Sequence, residues 1–154
     1  MPTLSIYTDG SAYPNPGQGG WAAIIVLPPE FELILRGSEE ATTNNRMEFQ
    51  APLSALDWMV RMGYTRATIF SDSQLVVNTM NAWAWGWERK GWKPKKNKEI
   101  KNLDLIQPLH ELRKKLEIQW TWVRGHNGHH WNEMADRHAE EARAKRIRHV
   151  ITKH

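Results

Sequence analysis

The stretch Leu4-Ser5-Ile6-Tyr7-Thr8-Asp9 alternates apolar and polar side chains, with the period of two that is typical of a β-strand. Asp9 ends this pattern, although aspartate is depleted in strands. A carboxylate at this position therefore indicates a functional requirement, unless Asp9 simply begins the next turn. The Gly/Pro/Asn-rich residues from Gly10 to Gly20 predict a loop after this strand.

The remainder of the chain alternates strand and helix signals around this first strand. Strands Trp21–Leu27 and Phe31–Arg36 flank Pro28-Pro29 and predict an antiparallel hairpin. The later elements are predicted as follows: a helix from about Thr42 to Gly63, a strand Ala67–Phe70, a helix Ser71–Met80, a short Trp-rich helix, a Lys-rich loop, a helix Ile100–Leu116, a strand Ile118–Trp122 and a helix Trp131–Arg146. This order predicts an α/β fold, a mixed five-stranded sheet with helices on both faces.

Length and composition indicate one domain and exclude several classes of site. We assign residues 1–145 to a single catalytic domain and 146–154 to a basic C-terminal tail. The chain has no cysteine, which excludes disulfides, thiolate metal sites and cysteine nucleophiles. Its longest apolar run, Trp21–Leu27, is too short to span a bilayer, and Met1–Leu4 does not resemble the start of a signal peptide. These features predict a cytoplasmic enzyme without a membrane segment.

The net charge of +4 is divided unevenly along the chain. Residues 1–80 carry four Lys/Arg against eight Asp/Glu, a net charge of −4. Residues 81–154 carry seventeen against nine, a net charge of +8. This division indicates a polyanionic partner and a separate carboxylate cluster, although two solvated faces would produce the same count.

Four carboxylates lie at element ends where ligands of an α/β sheet usually bind: Asp9, Glu48, Asp72 and Asp136. Such a set repels itself unless cations neutralise it, and oxygen-only ligands favour Mg²⁺ or Mn²⁺ over zinc. Two such ions can stabilise both oxygens of a phosphodiester displacement. Taken singly, Asp72 is also explained as a helix cap and Glu48 as a partner of the helix dipole.

Five ordered blocks carry a family resemblance. They are Thr8-Asp9-Gly10-Ser11, Asn44-Asn45-Arg46-Met47-Glu48, Ser71-Asp72-Ser73-Gln74, Gly125-His126 and Asn132-Glu133-Met134-Ala135-Asp136. Together they resemble the successive signatures of type 1 ribonuclease H, from about residue 3 to about residue 145. The resemblance implies a ribonuclease H-like fold.

The resemblance also implies an activity and its machinery. It implies an endonuclease that hydrolyses the RNA strand of RNA–DNA hybrids with two Mg²⁺ ions, for which Mn²⁺ can substitute, and leaves 5′-phosphate and 3′-hydroxyl ends. Asp9, Glu48, Asp72 and Asp136 would be the catalytic metal ligands, and His126 would assist proton transfer or product departure. From the residues alone, His126, His129 and His130 are equally eligible. We expect a monomer with the hybrid as its partner and no small-molecule cofactor.

A Trp-rich and basic stretch follows the third carboxylate. Cations interleaved with indoles suit a surface that follows a nucleic-acid backbone, although a Lys loop over a tryptophan core, with Trp83 inside, would look similar. The family has a basic protrusion here that grips the DNA strand, and it contacts the duplex through short polar residues near the acids. The substrate-binding residues that these arguments predict are Asn15, Thr43, Asn44, Asn45, Gln74, Trp83, Trp87, Arg89, Lys90, Trp92, Lys95, Lys96 and Lys98. Helix capping is an alternative role for Asn44 and Asn45.

Two residues depart from the family pattern and three other functions remain open. Gly86 replaces a residue that is often polar, and Glu88 interrupts the basic stretch, so we expect Glu88 to weaken binding slightly.

An integrase or resolvase would also cluster acids, a non-catalytic hybrid-binding module would not need all of them, and a structural protein would leave them unexplained. Metal dependence separates the nucleases from a pure binding module.

Overall fold

The structure is a computed structural model that describes residues 2–27, 31–93, 98–125 and 129–147 together with the backbone of 150–153. Its centre is one sheet with the strand order β5-β4-β1-β2-β3-β6. The strands are β1 (Leu4–Tyr13), β2 (Gly17–Leu27), β3 (Phe31–Thr42), β4 (Arg66–Ser71), β5 (Glu117–Trp122) and β6 (Val150–Lys153). β4 is parallel to both β1 and β5, whereas the other pairs are antiparallel, so the predicted mixed sheet is confirmed.

Five α-helices cover this sheet in the described part of the chain. They are α1 (Asn44–Met62), α2 (Gln74–Asn78), α3 (Ala84–Arg89), α4 (Leu103–Arg113) and α5 (His130–Lys145). A π-helical turn, Thr79–Trp83, joins α2 to α3. Pro52 lies inside α1 and Pro108 inside α4. Within the described ranges, no helix combines the length and apolar composition needed to cross a bilayer.

Alternating side chains give the sheet two apolar faces, and both are covered. Leu4 and Ile6 of β1 belong to the large core beneath α1 and α4, whereas Tyr7 packs on the opposite face near Ala135 of α5. β1 is thus a central strand with apolar side chains buried on both faces of the sheet. This arrangement confirms the expected helices on both faces.

The predicted loop from Gly10 to Gly20 is wrong over most of its length. Pairing of β1 with β2 continues through Gly10↔Trp21 to Tyr13↔Gln18, which leaves only residues 14–16 as the turn. Gly10 and Gly20 make room for helices rather than for a loop. A Cβ on Gly20, for example, would lie 2.3 Å from the carbonyl oxygen of Ala139 in α5. Asp9 consequently lies inside β1. The alternation had predicted that it ends the strand.

The sheet also has a sixth strand that the sequence patterns did not reveal. β6 lies in the basic tail and pairs antiparallel with β3, from Arg36↔Val150 to Leu33↔Lys153. Backbone pairing at a sheet edge requires no particular side-chain pattern, which explains why this short basic segment gave no strand signal.

Candidate active site

The parallel pairing of β1 with β4 brings the first two predicted carboxylates together. The pairing ends at Thr8↔Ser71. Asp9 and Asp72 each follow one residue of this last pair, so they lie next to each other across the two chain segments. β1 continues beyond this level, whereas β4 stops at Ser71. Asp9 therefore lies beside the open end of β4, where the chain turns towards α2 and carries Asp72.

The third carboxylate comes from the first turns of α1, which is packed tightly on β1. Thr43 is the N-cap, and its Oγ1 accepts a hydrogen bond from Arg46 N at 3.1 Å. A Cβ on Gly10 would lie 2.3 Å from the carbonyl carbon of Met47 and 2.6 Å from Glu48 N. The missing side chain of Gly10 therefore allows the helix to approach and places Glu48 near Asp9.

Carboxylate oxygens of Asp9, Glu48 and Asp72 all lie within 4.8 Å of one another. Burial raises the pKa of Asp9 to about 8, and the charge of Asp72 and a contact with Asp136 add to the rise. Burial also raises the pKa of Glu48 well above its ordinary range, with Asp9 as the next cause. The neighbouring acids thus disfavour ionisation of Asp9 and Glu48, which a bound cation would reverse.

Glu48 shows most directly that the cluster suits a cation. Its side chain is buried, and Oε1 has no hydrogen-bond partner among the described residues. A buried carboxylate oxygen without a donor is costly for a protein unless something else neutralises it. The donor set consists of carboxylate oxygens, which hard divalent cations prefer.

The fourth predicted carboxylate, Asp136 of α5, lies at the same place. Its side chain is within hydrogen-bonding reach of Asp9, whose pKa it raises. Asp136 lines a small cavity of about 20 Å³ together with Asp9, Asp72 and Glu133. Glu133 was not predicted as a site residue, although its position three residues before Asp136 on α5 places both on one helix face.

Gly125, which follows β5 in the chain, lies against Asp72. A Cβ on Gly125 would lie 2.7 Å from Asp72 Oδ2, so this glycine packs directly on the carboxylate. His126 follows Gly125 but lies outside the described residues, and its role remains a prediction. Among its alternatives, His129 lies before α5 with its ring centroid 5.4 Å from that of Tyr7, and His130 contacts Trp131.

Two predicted duplex contacts serve local structure through their side-chain oxygens. Asn44 Oδ1 accepts a hydrogen bond from Ala12 N at 2.6 Å, and Asn15 Oδ1 accepts one from Asn44 N at 3.1 Å. These bonds tie the turn after β1 to the start of α1. The cap of α1 is Thr43, so the alternative that Asn44 or Asn45 caps the helix is wrong. Asn15, Asn44 and Asn45 are nevertheless exposed.

A groove of about 430 Å³ gathers much of the predicted binding surface between the start of α1 and the Trp-rich stretch. Five of the predicted residues line it: Asn45, Trp83, Trp87, Lys90 and Lys98. Lys93, Lys101 and Asn102 also line it and were not among the predicted site residues. Trp83 is 45% exposed, which contradicts its placement in a tryptophan core.

The remaining predicted binding residues do not line this groove or lie outside the residues that the structure describes. Gln74 is exposed at the start of α2, and Arg89 is exposed at the end of α3. Trp92 packs against the ring of His110 and the main core rather than lining the groove. Lys95 and Lys96 lie outside the described residues.

Comparison with known proteins agrees with this geometry. The RNase H family model matches residues 1–144. A ribonuclease H of Novosphingobium aromaticivorans is 41% identical over 142 residues, which cover 92% of this chain and 97% of that protein. The crystal structure of LC9-RNase H1, a type 1 RNase H with the type 2 active-site motif, has a TM-score of 0.87 at 29% identity and covers 99% of this chain and 78% of its own.

A second solved structure shares the fold at lower identity. LC11-RNase H1, crystallised in complex with an RNA/DNA hybrid, has a TM-score of 0.73 at 23% identity. The match covers 93% of this chain and 98% of that protein.

Proposed function

This chain belongs to the ribonuclease H family, and from that premise we propose that it hydrolyses the RNA strand of RNA–DNA hybrids by a two-metal-ion mechanism. The products would carry 5′-phosphate and 3′-hydroxyl ends. The observation that carries this proposal is the group of Asp9, Glu48 and Asp72, whose oxygens lie within 4.8 Å of one another and include the unpartnered Glu48 Oε1.

We assign the metal ligands to Asp9, Glu48, Asp72 and Asp136. Divalent cations bound there, Mg²⁺ or Mn²⁺, would acidify the attacking water and stabilise the charge that develops on the departing 3′ oxygen. Asp9 and Glu48 would then ionise, because the cations offset the burial and mutual repulsion that now raise their pKa values. Gly125 would hold the Asp72 carboxylate in place through its close approach.

His126 would serve the reaction from the segment that begins at Gly125. An imidazole titrates near neutrality, so it can accept a proton during attack or release one to a departing group. The contact of Gly125 with Asp72 supports this assignment, because Gly125 lies beside a carboxylate of the cluster and precedes His126 in the sequence.

The groove beside α1 would bind the DNA strand of the hybrid. Lys90 and Lys98 would contact phosphates, and the indoles of Trp83 and Trp87 would pack against sugars. Arg89, Trp92, Lys95 and Lys96 belong to the same basic stretch of the chain and would extend or support this surface. The structure of LC11-RNase H1 with a hybrid supports a hybrid as the ligand of this fold.

The polar residues near the carboxylates would read the minor groove. Asn15, Asn44, Asn45 and Gln74 would contact 2′-hydroxyls and base edges, and Thr43 would contact a phosphate. Ala12 N already occupies one lone pair of Asn44 Oδ1, and an amide retains further donors for a duplex. We also propose a monomer that acts in the cytoplasm, with which a cysteine-free composition is compatible.

A cleavage assay tests the proposal on labelled RNA–DNA, RNA–RNA and DNA–DNA duplexes and on single-stranded RNA. Each substrate is incubated with Mg²⁺, with Mn²⁺ or with a chelator, and the product ends are identified. We expect metal-dependent cutting confined to the RNA of the hybrid. Cutting of DNA would instead favour an integrase- or resolvase-like activity, and metal-independent binding without cutting would favour a binding module.

A further inference from the structure

A buried histidine joins α4 to the Trp-rich segment, which we define as residues Trp83–Trp92. His110 is 0% exposed. Its Nε2 lies 3.3 Å from Glu88 Oε1, and its Nδ1 accepts a hydrogen bond from Arg113 Nε at 3.0 Å. Lys114 of the next turn donates to Glu88 Oε2. Two residues of the α4 region thus contact the same carboxylate of α3.

The hydrogen bond from Arg113 determines the tautomer of His110. Arg113 Nε always carries a hydrogen, so Nδ1 is the acceptor and the ring proton of neutral His110 is on Nε2, towards Glu88. The approach of Nε2 to Glu88 Oε1 is a 3.3 Å contact rather than a well-formed hydrogen bond, since Nε2 has no hydrogen-bond partner among the described residues. Lys114 is the stronger partner of Glu88, and both neighbours keep the pKa of this carboxyl below its usual range.

Aromatic packing strengthens the same junction. The ring of Trp85 meets that of His110 edge-on with centroids 4.5 Å apart, and that of Trp92 does so at 5.6 Å. The guanidinium of Arg113 lies over Trp85, 4.2 Å from its ring centroid. Through Trp85, Glu88 and Trp92, the Trp-rich segment is therefore held at three places along its length.

The opposite side of this segment forms the proposed binding groove. Trp83, Trp87 and Lys90 line the groove, whereas Trp85, Glu88 and Trp92 face α4. The two sets alternate on a short helix that begins at a π-helical turn, so displacement of one set moves the other. The contact with α4 therefore sets the position of the residues that would meet the nucleic acid.

We propose that Glu88 and His110 are positioning residues for hybrid binding, which hold the Trp-rich segment against α4 in its binding geometry. This inference rests on the proposed function. For the removal of Glu88, it predicts a change in hybrid affinity opposite to the one that charge alone predicts. An acid inside a basic surface repels a polyanion, so its removal should tighten binding if Glu88 acts only through its charge. If Glu88 acts as a positioning residue, its removal weakens binding.

The test compares Glu88→Ala with Glu111→Ala as a matched control. Glu111 also pairs with Lys114, at 3.0 Å, but it belongs to α4 itself and makes no link to α3. Both substitutions remove one acid and one partner of Lys114, so their effects on the long-range field are alike. Only Glu88→Ala removes one of the three links between the Trp-rich segment and α4.

Binding of a short RNA–DNA hybrid is measured by fluorescence anisotropy in chelator, where no cleavage occurs, and steady-state rates are measured separately with Mg²⁺. We expect Glu88→Ala to raise Kd about three- to tenfold, as for loss of one interaction of this kind, while Glu111→Ala leaves Kd unchanged or lowers it. KM should rise in parallel with Kd, and kcat should stay near that of the unsubstituted protein. Circular dichroism melts verify that both variants are folded.

A second variant keeps the shape of the junction. Glu88→Gln keeps the size of the side chain and its contact with His110 and should recover part of the lost affinity, although it loses the ion pair with Lys114. Equal or tighter binding by Glu88→Ala, in step with Glu111→Ala, would overturn the inference. Failure of the proposed function would appear differently, because the unsubstituted protein itself would not cut the RNA of a hybrid.

Discussion

Gly10 in β1 and Glu48 in α1 are in backbone contact: a Cβ on Gly10 would lie 2.6 Å from Glu48 N. The contact lies one residue after Asp9, so it sets the distance between the strand that carries one catalytic candidate and the helix that carries another. The tight packing of α1 on β1 therefore brings the carboxylates of Asp9 and Glu48 close together.

Gly10→Ala should therefore damage both stability and activity. The added methyl group must push α1 away from β1, and overpacking of this kind costs about 1–3 kcal/mol in the free energy of unfolding. Urea denaturation measures the loss. Gly86→Ala in α3 is the control, because the nearest atom to its Cβ would be Arg89 Nη2 at 3.8 Å. This substitution should raise the free energy of unfolding by about 0.5–1 kcal/mol. Equal stability of the two variants would contradict the role of Gly10.

Gly125→Ala should act on the chemistry more than on the fold. Its Cβ would lie 2.7 Å from Asp72 Oδ2, so the carboxylate has to move away from the cluster. Small displacements of reacting groups lower rates up to about 100-fold. We expect kcat to fall while Kd for a hybrid in chelator stays unchanged. An unaltered kcat would show that the position of Asp72 tolerates this shift.

Asp9→Asn should abolish cleavage and preserve hybrid binding, because it removes a proposed metal ligand but no proposed phosphate contact. We expect kcat to fall by about 10²–10³-fold or more, the scale for loss of one preorganised electrostatic group. Calorimetric titration with Mg²⁺ should show weaker binding in parallel. Asp57→Asn, at a surface acid paired with Arg61, should leave both quantities unchanged. Turnover near that of the unsubstituted protein in Asp9→Asn would refute the assignment.

The metal-free protein should lose stability as pH rises. The pKa of Asp9 is about 8 in the folded state, above its ordinary value of 3.8. The stability that comes from binding this proton is complete below the ordinary pKa and is lost as pH rises through the folded-state pKa. The melting temperature in chelator should therefore fall between about pH 4 and about pH 8 relative to Asp9→Asn. Mg²⁺ should restore it at alkaline pH, and the same slope in both proteins would contradict the prediction.

Neutralising the groove lysines should reduce the salt dependence of binding. Each lost phosphate contact lowers the slope of log Kobs against log salt by up to about 0.9. Lys90 and Lys98 line the groove, so their joint replacement by Gln should flatten the plot measured by anisotropy. Lys115 and Lys145 do not line it and form the control pair. If the two double variants have the same slope, the groove is not the phosphate contact.

Local sequence patterns determined the identity of most elements. The alternation in Leu4–Asp9 and the helical spacing after Thr43 predicted β1 and α1, because both patterns record which faces of an element are buried. The same patterns marked Asp9 as an acid in an apolar context. They could not show that Asp9 lies inside its strand, because a glycine looks alike in sequence whether it serves a turn or the approach of a helix.

The tertiary structure decided which residues meet. Parallel register placed Asp9 beside Asp72 although 62 residues separate them in the chain, and Gly10 admitted Glu48 to the same cluster. Trp83 and Trp87 lie one helical turn apart and face the groove, whereas Trp85 between them faces His110, and only the packing of this segment on α4 decides which side meets which neighbour. Periodicity reports a single helix at a time. Contacts between elements depend on register, packing distance and helical phase, which the whole fold sets.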